Sequence, residues 1–347
     1  MSAATSAGTA RTRPNWALMP ASFFSMAVGA LAWGHAWRAA TEVWRLPPWL
    51  AHAAAAVGLL VWLALLLVYA AKWRAHPQAV QQELAHPVQS AMAALAPVTV
   101  LLAAITLKPL WLGLAWVLLV LGLAAQLALG LWLVGRFWQG GRAPDSLNTS
   151  VYLPAVAQNL VAATAAASFG LTALGGLFFG AGILSWLALE SMVLSRASMQ
   201  AAIPVPQRPL FGIQVAPALV AGVSYMSLTS GPPDLVAHML LGYGLYQALL
   251  AVRLWPWIRE AAFAPSYWAF SFGVMAMATM ALRLLERAPS EWLWQLLAPV
   301  LFGVANAVMA LLLWHTWALA RQGNLWPAAV GVSAPPPAPP SAGPQAE

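Results

Sequence analysis

The sequence predicts an all-α integral membrane protein. Ten transmembrane helices form five tandem hairpins, with the odd helices in an inner ring around a pore and the even helices in an outer ring. Three observations carry this prediction. Of the 347 residues, 61% are apolar and 7% charged, whereas a soluble domain is about 25% charged. Ten segments reach the roughly 20 apolar residues needed to cross a hydrocarbon core of about 30 Å. Within them, a helix breaker returns once per pair of segments.

In chain order the segments are 19–38, 49–72, 88–107, 109–135, 151–170, 172–195, 210–228, 235–257, 266–284 and 291–320. Short joints carrying breakers and charge separate them. Arg45-Leu46-Pro47-Pro48 follows the first, Arg74-Ala75-His76-Pro77 the second, Lys108-Pro109 the third and Gly231-Pro232-Pro233-Asp234 the seventh. No joint is long enough for a separate soluble domain. A cytoplasmic segment, 1–15, therefore precedes a transmembrane domain of 16–321, and 322–347 form a Pro-rich disordered tail. Basic residues near the span ends set the orientation. Eleven fall on the side shared by both termini and five on the other (Arg38, Arg45, Lys108, Arg283 and Arg287), which places both termini in the cytoplasm.

Odd and even segments differ in composition. The even ones carry 13 tryptophans, counting Trp73 just past the second, and the odd ones three. Bulky Leu and Trp faces suit lipid and its interfaces, whereas small residues let helices approach closely. The odd segments hold breakers near their starts, at Pro20, Pro97, Pro154 and Pro217, with Gly273 as the fifth, spaced 77, 57, 63 and 56 residues apart. Proline in a membrane helix is tolerated where neighbours or water satisfy the freed carbonyl. A ring of five such helices either packs solid or leaves an axial path. Phe24, Thr99, Gln158, Asn159, Gln214 and Thr279 join the breakers as candidate pore-lining residues, although each amide can equally serve as interhelical glue. On the ninth segment Phe272 stands beside Gly273, where a large ring either fills a core gap or closes a narrow lumen.

Other chemistry finds little support. The net charge of +7 is scattered singly, with no basic stripe for nucleic acid. Cysteine is absent, which removes thiolate chemistry. No HExxH, P-loop or Ser/His/Asp pattern points to an enzyme, and no cofactor is expected. A membrane haem protein needs histidine pairs at one depth; His35, His52 and His238 share one side and His315 the other. Glu190 and Arg253 lie at matching depth on the sixth and eighth segments and form a candidate structural ion pair. No acidic residue falls mid-membrane in an odd segment. A coupled pump usually needs one at its substrate site, so passive or weakly coupled movement of solute is favoured, and a weakly polar pore without carboxylate rings suits anions better than cations.

Several ordered stretches add a resemblance. They are Pro20-Ala-Ser-Phe-Phe-Ser-Met-Ala-Val-Gly29, Glu83-Leu-Ala-His-Pro-Val-Gln-Ser90, Tyr152-Leu-Pro-Ala-Val-Ala-Gln-Asn159, Gly180-Ala-Gly-Ile-Leu-Ser-Trp-Leu-Ala-Leu-Glu190, Leu210-Phe-Gly-Ile-Gln-Val-Ala-Pro-Ala-Leu-Val220, Gly242-Tyr-Gly-Leu and Tyr267-Trp-Ala-Phe-Ser-Phe-Gly273. Together, across about 16–321, they resemble the TehA family, the bacterial tellurite-resistance/C4-dicarboxylate transporter group related to plant guard-cell slow anion channels. The resemblance implies a ten-helix α-barrel, a homotrimer with one pore per subunit, small anions as transported partners, and Phe272 as the plug. It also implies kinks at Pro20, Pro97, Pro154 and Pro217. Plant relatives tend to have proline after the gating phenylalanine, where this sequence has Gly273.

Overall fold

The computed structural model describes residues 18–141 and 147–326. The expected segment 1–15 and the tail from 327 onward lie outside them. The first hairpin is α1 (Phe24–Trp44) and α2 (Pro48–Ala75). Two connectors, α3 (Pro77–Ala85) and α4 (Pro87–Met92), lead into α5 (Leu95–Leu107) and α6 (Leu112–Trp138). Next come α7 (Gln158–Ser168) with α8 (Thr172–Met199), then α9 (Ala216–Leu228) with α10 (Leu235–Arg253). The short α11 (Trp255–Ile258) precedes α12 (Ala269–Arg287) and α13 (Trp292–Arg321). No strand occurs among the described residues.

Local chemistry sets the helix ends. Pro48, Pro77 and Pro87 open their helices at the position where a missing N–H costs nothing. Arg45 closes α1 in the left-handed region, φ 52°, and the Asp234 carboxylate caps α10 by accepting from the Ala237 N–H at 3.0 Å. Eight helical stretches are long and apolar enough to cross a membrane. α1 is diluted by Arg38 and Glu42, and α7 is α-helical for only 11 residues.

Packing sorts the helices into two layers. In the most apolar 18-residue part of 87–107, 205–228 and 265–287, 72–78% of residues are buried, against 22–33% in the corresponding part of α2, α6, α8, α10 and α13. The buried helices close on themselves: α1 packs on α5, α5 on α7, α7 on α9, α9 on α12, and α12 back on α1. Each outer helix lies against its hairpin partner, α2 on α1, α6 on α5, α8 on α7, α10 on α9 and α13 on α12. Small residues set the spacing. A Cβ added at Gly58 of α2 would stand 2.9 Å from the Ala30 carbonyl oxygen of α1, so only glycine permits that approach.

Every inner helix begins irregularly, and always at the same end of the ring. Tight 3-10 turns run Ala21–Phe23, Val205–Val215 and Pro265–Trp268 before α1, α9 and α12. A wider π-turn, Leu153–Ala157, opens α7, and α4 breaks from α5 at Ala93–Ala94. The breakers thus loosen first turns rather than bend helices midway. Two expectations need correcting. Gly273 makes no kink, since α12 is unbroken through it; its missing Cβ instead lets α12 touch the backbone of Ala216, 3.0 Å from where a Cβ would sit. The eighth segment ends at Arg253, because Leu254 breaks the helix before α11. At the last described residue, Trp326 stacks on Phe23 with centroids 5.5 Å apart.

Candidate functional site

Two cavities lie inside the helix ring. The larger, about 250 Å³, sits among the irregular first turns and takes residues from all five inner helices, including Ser25, Leu95, Val156, Pro217 and Phe272. The smaller, about 50 Å³, lies deeper, between Ala32, His35, Leu102, Thr164, Ala276 and Thr279. Val220 and Phe272 border both. Phe272 lies in the first turn of α12 and is only half-buried. Neither cavity has an Asp, Glu, Lys or Arg in its lining.

The polar groups of the deeper cavity are neutral and held. His35 Nε2 lies 2.8 Å from Thr106 Oγ1, Thr164 Oγ1 lies 2.8 Å from Ser224 Oγ, and the Thr279 hydroxyl donates to the Met275 carbonyl at 2.9 Å. At the wide end, His86 Nδ1 accepts from the Val88 and Gln89 N–H groups at 3.2 and 3.3 Å. Its Nε2 is then the donor nitrogen of the neutral ring.

Of the pore-lining candidates singled out from sequence, Phe272, Pro217 and Thr279 border these cavities. The others do not. Phe24 is fully buried and meets Tyr69 edge-on at 5.3 Å. Pro20, Pro97, Pro154 and Gly273 line neither cavity. The Thr99 hydroxyl turns back to the Ala96 carbonyl at 2.7 Å. Two of the three amides bridge elements, Gln158 donating to the Ala94 carbonyl at 3.1 Å and Gln214 to Glu190 at 2.7 Å, whereas Asn159 turns back to the Ala155 carbonyl one turn earlier in its own helix at 2.8 Å.

The expected Glu190–Arg253 pair is not formed. Arg253 is exposed at the end of α10, while the Glu190 carboxylate accepts from four neutral donors. These are Tyr152 at 2.7 Å, Trp186 at 2.9 Å, Gln214 at 2.7 Å and Tyr243 at 2.5 Å. Such a shell satisfies a buried carboxylate without a counter-ion. It joins two inner helices to two outer ones. The buried ion pair is elsewhere: Lys72 meets Glu83 at 2.5 Å, each under one-tenth exposed, and Lys72 also holds the Met19 carbonyl at 2.9 Å.

A second arrangement escaped the sequence reading. At the narrow end, basic residues tie four of the five neighbouring pairs of inner helices. Arg38 of α1 donates to the Thr106 carbonyl at 3.2 Å, Lys108 reaches the Ser168 carbonyl after α5, and Arg287 of α12 holds the Thr229 carbonyl at 2.6 Å. Arg283 of α12 pairs with Glu42 of α1 at 2.8 Å, and the Thr164–Ser224 contact joins α7 to α9. The hoop closes. Cations at helix C-termini meet unpaired carbonyls and a favourable dipole. The legible signal was that basic residues close odd segments; it was counted only as topology.

Residues 18–317 match the SLAC1 family of voltage-dependent anion channels. The chain belongs to this family. A tellurite resistance protein TehA homolog from Haemophilus influenzae is 35% identical over 267 residues, covering 76% of this chain and 80% of that protein. Membership fits a multi-pass helical membrane protein of the channel and transporter class, and it places the two cavities in a domain of the kind that moves anions.

Proposed function

We propose that this chain is a small-anion channel whose path runs along the axis of the inner ring and is closed by the Phe272 ring. One observation carries the reading: Phe272 borders both the wide and the deep cavity, so its removal joins them. The absence of charged groups from both linings supports anions over cations, because no carboxylate ring is present to attract a cation. The cations at the narrow end add a favourable potential there. A monovalent anion is the best fit, since a dicarboxylate would leave its second charge without a cationic partner in the path.

In this reading all five hairpins cross the membrane, giving ten spans, with α1 and α7 shielded from lipid by their partners. The wide end faces the cytoplasm, as do both termini, and the membrane is the bacterial inner membrane. Three copies assemble with one path each. The H. influenzae relative carries tellurite resistance in its name; here that trait would follow from anion movement. A proton-coupled carrier is less well supported, because Glu190 sits behind Tyr152 rather than in either lining.

Current recording in planar bilayers tests the proposal, with wild type beside Phe272→Ala in chloride, nitrate and malate. A near-silent wild type and an anion-selective variant are expected. Silence of both, with malate uptake driven by a pH gradient in proteoliposomes, would replace the channel by the carrier.

A further inference from the structure

The outer layer is not continuous. Between α2 and α6, which do not pack on one another, a groove of about 710 Å³ opens on the outer face of the barrel. Its walls are apolar, and its shape comes from five alanines: Ala70 of α2, Ala125 and Ala128 of α6, and Ala93 and Ala96 on the floor. The floor residues belong to the inner ring. Ala93 lies at the break between α4 and α5, next to Ala94, whose carbonyl is held by Gln158 of α7. Here, then, the inner ring is reachable from the lipid side.

The groove's wide-mouth end is chemically distinct. Trp73 and Trp132 stand there half-exposed, as tryptophans do at a membrane interface. Arg74 lines the same end and has no ion pair or hydrogen bond among the described residues. Arg136 lies over the Trp132 ring at 5.0 Å and donates to the Leu84 carbonyl at 2.9 Å, with no described carboxylate beside it. An apolar slot lined by Arg74, with Arg136 beside it over the lining Trp132 ring and on the carbonyl of the lining Leu84, is complementary to one kind of molecule. We infer that this groove binds an anionic phospholipid, its acyl chain against the alanines and its phosphodiester between Arg74 and Arg136. The lipid then bears directly on the α4–α5 break and makes that inner helix sensitive to leaflet composition.

The test uses the full chain in nanodiscs of mixed phosphatidylglycerol and phosphatidylcholine, extracted gently and weighed by native mass spectrometry. Phosphatidylglycerol should be retained over phosphatidylcholine by roughly tenfold, from two arginines near an anionic headgroup. Arg74→Gln with Arg136→Gln should abolish that preference. Ala128→Phe, at an exposed position where added bulk spares the core, should displace both lipids and leave the mass of the protein assembly unchanged. Equal retention of the two lipids by wild type, or retention unaffected by Ala128→Phe, overturns the inference. So does a change of subunit number in Ala128→Phe, which would make the groove a contact between copies. None of these readouts depends on Phe272 or on conduction.

Discussion

The inner helices are on the whole shorter and less apolar than the outer ones, and the two layers are held by different forces. Leu31 of α1 is fully buried, and Leu131 of α6 is 73% exposed. In a bilayer the second contact is with lipid, which is as apolar as leucine, so only the first is a protein contact that packing can lose. The outer helices also keep straight starts, while every inner helix begins in a 3-10, π or broken turn. Regularity is a requirement only where lipid surrounds the backbone. Irregular turns survive where protein or a cavity covers them.

That contrast can be broken at its most sensitive point first. Phe272→Ala should raise anion conductance by more than an order of magnitude, whereas Phe302→Ala on α13 should leave it unchanged; equal currents in the two variants remove Phe272 from the gate. Next in size, Leu31→Ala should cost about 2–5 kcal/mol through the cavity it leaves. Leu131→Ala should stay within about 0.5 kcal/mol. Thermal inactivation in detergent compares the pair, and matched losses would mean that burial does not separate the layers. A smaller effect is expected where the layers are joined. Tyr152→Phe removes one of four donors to Glu190 and should cost about 1.5–3 kcal/mol, because the lost bond is to a charged group. An unperturbed melting transition would show that the remaining three donors suffice.

The smallest expected effect lies at the narrow end. The Asp234 carboxylate is held below the ordinary carboxylate range, first by the Tyr225 hydroxyl and then by the Ala237 N–H. A lowered folded-state value means its contribution is full above about pH 4 and fades as pH falls through that lowered value. Asp234→Asn should therefore flatten the acid limb of the stability profile below about pH 4 and change nothing near neutrality. A wild-type slope retained by the variant would assign the acid sensitivity to another group.

How much of this could be read from the sequence depends on what periodicity encodes. Long apolar helices stand at eight of the ten expected spans; these, the joints and the odd–even contrast were legible, because they follow from composition along the chain. So was the clustering of breakers near odd-segment starts. Azimuth was not. Gln158 and Gln214 read as possible lining, yet they turn to Ala94 and Glu190, since which face of a helix meets which neighbour is decided by packing. Glu190 and Arg253 matched in depth, but depth alone does not make a contact. Phe272 stood out only as a large ring beside glycine. The reason for that glycine, close approach to Ala216, is a tertiary fact.

The hoop at the narrow end has a mechanical consequence. Arg38, Lys108, Arg287 and the Arg283–Glu42 pair tie successive helices there, while the opposite ends are loose turns. Such a barrel behaves like a machinist's collet, clamped at one rim and slit at the other. Radial strain applied anywhere along it is taken up at the slit rim, where the Phe272 ring sits one helical turn inside. Widening the lumen then needs no separation of the clamped ends, only a small splay of the free ones.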